Sequence, residues 1–93
     1  MPVMSLVLEL RLPGCDTARR KASEAEAILI KLRKHFNVSV VDLGPDATGD
    51  RTAVGFAAVA RTRREARAML DRVADAVAAH PRVEVLKAAF DEL

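Results

Sequence analysis

The sequence predicts an α+β domain: a four-stranded antiparallel sheet with two helices on one face. Three observations lead there. Val3 to Leu12 alternates with a period of two, which sets Leu6, Leu8, Leu10 and Leu12 on one face and Ser5, Val7, Glu9 and Arg11 on the other. Two longer stretches, 17–35 and 62–80, repeat apolar residues at steps of three and four. Turn-forming residues punctuate the chain at Pro13-Gly14, through the loop 42–51 and at Pro81.

The elements follow in order. The first strand ends at Pro13-Gly14, and Asp16 or Thr17 can cap the helix after it. That helix, 17–35, carries the stripe Ala18, Ala22, Ala25, Leu29, Leu32 and Phe36, flanked by Ile28. Asn37 to Asp42 reads as a second strand with Val38 and Val40 on one face. The third strand, Thr52 to Arg61, offers Val54, Phe56 and Ala58 on one face and the smaller Ala53, Gly55 and Ala57 with Val59 on the other, so the bulkier set is expected under the helices. Thr62-x-x-Glu65 is a capping box that starts the second helix. Its stripe is Ala66, Leu70, Val73, Val77 and His80, with Met69 beside it, and Pro81 stops it. Val83 to Phe90 is a fourth strand whose facing is left open by its composition. The order β-α-β-β-α-β with right-handed crossovers gives the ferredoxin-like arrangement, strand order 4-1-3-2, as one domain over 1–93.

Composition narrows the function classes. The chain has 93 residues, 51% hydrophobic and 30% charged, enough for a core and too apolar for a disordered tail. One cysteine, Cys15, excludes an intramolecular disulfide framework and fits a reducing, cytoplasmic setting. No apolar run is long enough to cross a membrane, and no basic-then-apolar leader opens the chain, so neither a span nor a signal peptide is expected. The net charge of +2 permits an anionic partner without requiring one.

Leu12-Pro13-Gly14, a basic helix start, and the run Leu32-Arg33-Lys34-His35-Phe36-Asn37-Val38-Ser39-Val40 resemble the YlxP-like family of small bacterial proteins. Arg51 with Val54-Gly55, and His80-Pro81 with Val83-Glu84, match as well. The resemblance covers nearly the whole chain. The family's function is poorly defined, and its genes often lie among those for transcription and translation factors, which implies a role near ribosomes or RNA. Two departures stand out. Arg19-Arg20-Lys21-Ala22 replaces the family's usual Lys-x-Lys-Arg, and Gly49 stands where the family often has Trp.

Catalytic constellations are scarce. Cys15, His35 and His80 lack metal-ligand spacing, so no metal and no cofactor are expected. Cys15 precedes a helix, where a catalytic thiol is conceivable and an ordinary turn residue expected. His35 and His80 read as residues closing the two helices. Asp42, Asp46 and Asp50 are spaced too widely for a calcium loop and read as a solvated turn. No Gly-x-Gly-x-x-Gly, Walker or Gly-x-Ser-x-Gly pattern occurs, so an enzyme is not expected. The third strand departs from the RNA-recognition signature, lacking its leading basic residue and second aromatic. Phe56 is therefore expected in the core.

One charge pattern remains. Arg19, Arg20 and Lys21 begin the first helix, and Arg63 and Arg64 the second, against both helix dipoles. The topology brings the end of the first helix to the start of the second. Lys31, Arg33 and Lys34 are thus expected near Arg61, Arg63, Arg64 and Arg67, a basic edge of seven charges thinned by Glu65. Arg19, Arg20 and Arg82 are expected to gather at the other end, with Asp71, Asp75, Asp91 and Glu92 elsewhere. The expected function is non-enzymatic contact with RNA or a ribosomal subunit through backbone phosphates. The alternative is a self-associating ligand-binding or regulatory domain, a homodimer through an open sheet face of Val7, Ser39, Val41, Ala53, Gly55, Ala57 and Val59.

Overall fold

A computed structural model describes residues 1–44 and 48–93. The elements are β1 (Val3–Arg11), α1 (Ala18–His35), β2 (Ser39–Asp42), β3 (Arg51–Val59), α2 (Arg63–Ala78) and β4 (Glu84–Glu92). They form one antiparallel sheet, β2-β3-β1-β4, in the ferredoxin-like order the sequence predicts.

Alternation on β1 works as expected. Met4, Leu6, Leu8 and Leu10 are buried, and Leu12 just beyond the strand is buried too, its N–H donating to the Asp50 carbonyl at 2.7 Å. Val54, Phe56 and Ala58 of β3 face the same core. Burying a Leu or Val side chain is worth roughly 1.5–3 kcal/mol, and these strands supply most of the layer under the helices. α2 covers it over β1, β3 and β4 with Ala66, Leu70, Val73 and Val77, whereas α1 covers β2 and β3 with Ala25, Ile28, Leu29 and Leu32.

Several boundaries differ from the sequence reading. β2 has only four residues, because Asn37 and Val38 belong to the turn leaving α1, although Val38 still packs on the core. The α1 stripe is rotated: Ala18 and Ala22 are exposed and Lys21 is buried, 3% exposed. Counting back from Ala25 and Ile28 by one and two turns reaches Lys21, which therefore lies on the core-facing side of α1 with its whole side chain drawn inward. His80 does not close α2. The helix ends at Ala78, and the His80 Nδ1 accepts the Arg82 N–H at 3.2 Å, so the ring holds the turn into β4. β4 is now oriented: Val85 and Phe90 face the helices, and a bulge at Glu9/Leu10 leaves Leu86 unpaired in the register.

The turns have local causes. Gly14 has φ +85, a backbone region that costs glycine little. Asp42 accepts the Gly44 N–H at 3.0 Å, and Gly44 lies so close to β3 that a Cβ there would collide with the Ala53 nitrogen and the Thr52 hydroxyl. Asp50 pairs with Arg11 at 3.8 Å. Asp42 and Asp50 thus have structural partners, and Asp46 lies outside the described residues.

Candidate functional site: two basic helix starts and an open sheet face

Both helices carry a threonine cap. Thr17 Oγ1 accepts from the Arg20 N–H at 3.2 Å, which selects Thr17 over Asp16, and Thr62 Oγ1 accepts from the Glu65 N–H at 3.1 Å. The Glu65 carboxylate turns to Arg61 at 3.5 Å, and only the threonine side of the capping box forms as a hydrogen bond.

The expected basic edge divides. Arg61 pairs with Glu65, Arg63 with Glu92 of β4 at 2.6 Å, and Arg67 with Asp71 at 3.1 Å, while the Arg67 guanidinium lies 3.6 Å from the Phe90 ring centre. Asp71 and Glu92, expected elsewhere, are therefore the residues that neutralise this end. The cause is lateral. α2 lies over β1, β3 and β4 and α1 over β2 and β3, so the first turn of α2 meets the end of β4. Lys31 lies beside Ala76, Ala79, His80 and Pro81, at the end of α2 away from Arg61, Arg63 and Arg64.

The cations of α1 behave differently. The helix holds six basic residues and two carboxylates, with no acidic residue in its first turn. Glu24 is taken by Arg82 at 3.5 Å. Arg19, Arg20, Lys31, Arg33 and Lys34 are all exposed and form no ion pair among the described residues, as does Arg64 of α2. At 100° per residue the five α1 cations fall on one outward half of the helix, opposite Ala25 and Leu32. Lys21, buried beneath them, is not part of that surface. Of the expected cluster Arg19, Arg20 and Arg82, Arg20 and Arg82 line one hollow with Glu24, Gly14 and Cys15. The thiol itself is 9% exposed and joins the core cluster.

The opposite face of the sheet is uncovered. Val41 and Leu43 are 50% and 49% exposed and stand over Gly55, where a hollow of about 270 Å³ opens between Val7, Val41, Leu43 and Ala57. Val59, 53% exposed, lies on the same face. Phe36, Phe56 and Phe90 all pack on the core side, so this face presents no ring on which a base could stack. Leu86, which falls in the β4 bulge and was not singled out from the sequence, borders a second hollow here with Val7, Leu43 and Ala53.

No helix among the described residues is long and apolar enough to cross a membrane, and no group of three metal-ligating side chains occurs among them. Compared with known proteins, residues 3–90 match the family model described as "Protein of unknown function (DUF503)". The "Uncharacterized protein YlxP" of Bacillus subtilis (strain 168) is 32% identical over 66 residues, covering 71% of this chain and 72% of that protein. With the family model spanning residues 3–90 and that relative 32% identical over more than two thirds of each chain, the chain belongs to the DUF503, YlxP-like family.

Proposed function

We propose that this chain is a non-enzymatic cytoplasmic binding protein that grips the phosphate backbone of RNA, free or on a ribosomal subunit, through the outer face of α1. The observation that carries the reading is the contrast in pairing: Arg19, Arg20, Lys31, Arg33 and Lys34 keep their charge for solvent, whereas Arg61, Arg63 and Arg67 spend theirs on carboxylates. Arg33 and Lys34 favour the negative end of α1 and have a structural reason to be there. Arg19 and Arg20 oppose the dipole and have none, which is what an anion-facing role would leave. The two groups are twelve or more residues apart, so they lie about 20 Å from each other along the helix. A surface of cations without aromatic neighbours can hold phosphates and cannot read bases.

The test is binding to structured ribosomal RNA at low and physiological salt. If about three phosphates are neutralised on single-stranded segments, log K falls with log salt at a slope of roughly −2. Converting Arg19, Arg20, Lys31, Arg33 and Lys34 to Gln is expected to abolish that slope with the affinity. Converting the paired Arg63 and Arg67 to Gln is expected to change it little. Equal affinity for the α1 variant and the wild type, or no binding at low salt, overturns the reading.

The uncovered sheet face favours a second reading, self-association. Monomers rarely expose contiguous apolar patches larger than a few hundred Å², and this face exposes Val41, Leu43 and Val59 beside the hollow over Gly55. This use of the open face is compatible with α1 facing a phosphate backbone, because the two surfaces lie on opposite sides of the molecule.

A further inference from the structure

The open face is apolar in its middle and charged along β4. Its central row runs Val41, Gly55, Val7, Ala89 across the four strands. One row toward the Arg11 end, Lys87 lies opposite Glu9. One row toward the other end, Asp91 lies opposite Ser5. Lys87, Glu9 and Asp91 form no ion pair among the described residues. Three strands of nine residues and one of four, about 4.8 Å apart, make a face of roughly 500 Å². Covering it removes on the order of 500 Å² per partner, about 1,000 Å² in total, the least a specific interface needs.

The charges select the occupant. Lys87 and Asp91 are of opposite sign, on one strand, one row either side of the central row. We propose that the occupant is a second copy of this chain, stacked face to face about a two-fold axis that runs across the strands through the central row. That operation sets Lys87 of each copy over Asp91 of the other, twice. It also sets each Glu9 over a Ser5, whose hydroxyl can donate to the carboxylate, and brings Val41 and Val7 against their own counterparts. A two-fold along the strands does the reverse: it sets Arg11 of one copy over Arg51 of the other and leaves Lys87 and Asp91 facing β2, where Leu43 and Ser39 offer no charge. Crosswise stacking forms two ion pairs where stacking along the strands forms none, so it is the one the face is built for. Gly55 in the central row keeps the middle flat enough for the two Val41 side chains to approach.

This arrangement rests on the self-association reading, and the experiment separates the two. The full chain is sedimented at micromolar concentration as wild type, Lys87→Glu, Asp91→Lys and the double variant. Each single variant places like charges in contact twice and is expected to weaken the dimer on the order of tenfold or more. The double variant exchanges the signs and is expected to restore wild-type association. In a second arm Val41→Cys, which lies on the proposed axis, is expected to be joined to its copy by a short bismaleimide, with buried Cys15 as a low background. A strictly monomeric wild type overturns both the arrangement and the self-association reading. A dimer that ignores Lys87→Glu, a double variant that fails to recover, or a dimer whose Val41→Cys sites are not joined overturns the crosswise arrangement and leaves self-association standing.

Discussion

Helix α1 and helix α2 start alike. Each has a threonine cap whose hydroxyl takes the N–H three residues on, and each follows it with a pair of arginines. Their surroundings then diverge. α2 has Glu65 in its own first turn, Asp71 one turn after Arg67, and Glu92 brought in by β4, so three of its flanking arginines are paired. α1 lies over β2 and β3, neither of which delivers a carboxylate to its outer surface, and its cations stay in solvent. The lesson is that a basic run at a helix start does not say whether its charge is available. A partner far along the chain decides, as Glu92 does for Arg63.

The largest expected effect concerns packing beneath the two helices. Leu70 is fully buried where α2 crosses three strands, while Leu29, 2% exposed, sits under the helix that covers the short edge strand. Leu70→Ala should destabilise the fold by about 3 kcal/mol, within the usual range for a buried leucine. Leu29→Ala should cost less, since the edge-side layer can collapse into the space more easily. Chemical denaturation checks both, and a larger loss at Leu29 would reverse the ranking. Next in size is the loss of RNA affinity on neutralising the α1 cations, at least tenfold, which is about 1.4 kcal/mol. The same change at the paired Arg63 and Arg67 tests whether pairing silences α2.

Much of this was legible in the residues. Period-two alternation from Val3 to Leu12, the stripe through Leu70, Val73 and Val77, and Thr62-x-x-Glu65 placed the strands, the helix and its cap, because each is a local signal. The facing of β3 was legible from size, since Phe56 and Val54 need a core and Gly55 does not. The phase of the first turns of α1 was not. Alanine and lysine differ so much in hydrophobicity that the pattern pointed to Ala18 and Ala22, whereas the burial of a lysine stem depends on what lies beneath it. The split of the basic edge was illegible for a similar reason: which way α2 leans across the sheet is set by packing over β1, β3 and β4, and no residue of α2 alone encodes it. The β4 facing needed its register, which the bulge shifts by one residue.

The capping threonines come next. Thr62→Ala and Thr17→Ala should each cost about 1 kcal/mol. Thr17 caps a first turn without any acidic residue, so its loss leaves the exposed N–H groups among Arg19 and Arg20, and the larger of the two effects is expected there. Thermal denaturation of the single variants checks the order. A larger loss at Thr62 would mean that Glu65, with Arg61, contributes to the cap through more than the threonine hydrogen bond.

The smallest expected effect is also the one that bears most directly on the contrast between the helices. Arg63 and Glu92 make a close ion pair, 2.6 Å, with side chains 74% and 45% exposed. At such exposure water screens the charges and the side chains lose rotamer freedom, so a double-mutant cycle with Arg63→Ala and Glu92→Ala should give a coupling of about 0.5 kcal/mol. It should fade as salt is raised, because the pair is within reach of mobile ions. A coupling of this size is enough to bias Arg63 toward Glu92 and away from a phosphate, without locking it. If the cycle gives zero, Arg63 is as available as Arg19. Arg63→Gln would then weaken RNA binding as much, cation for cation, as the α1 changes do. If the cycle gives the expected value, Glu92→Gln alone should release Arg63 and raise affinity for RNA modestly at low salt, the gain disappearing at high salt with the rest of the phosphate binding.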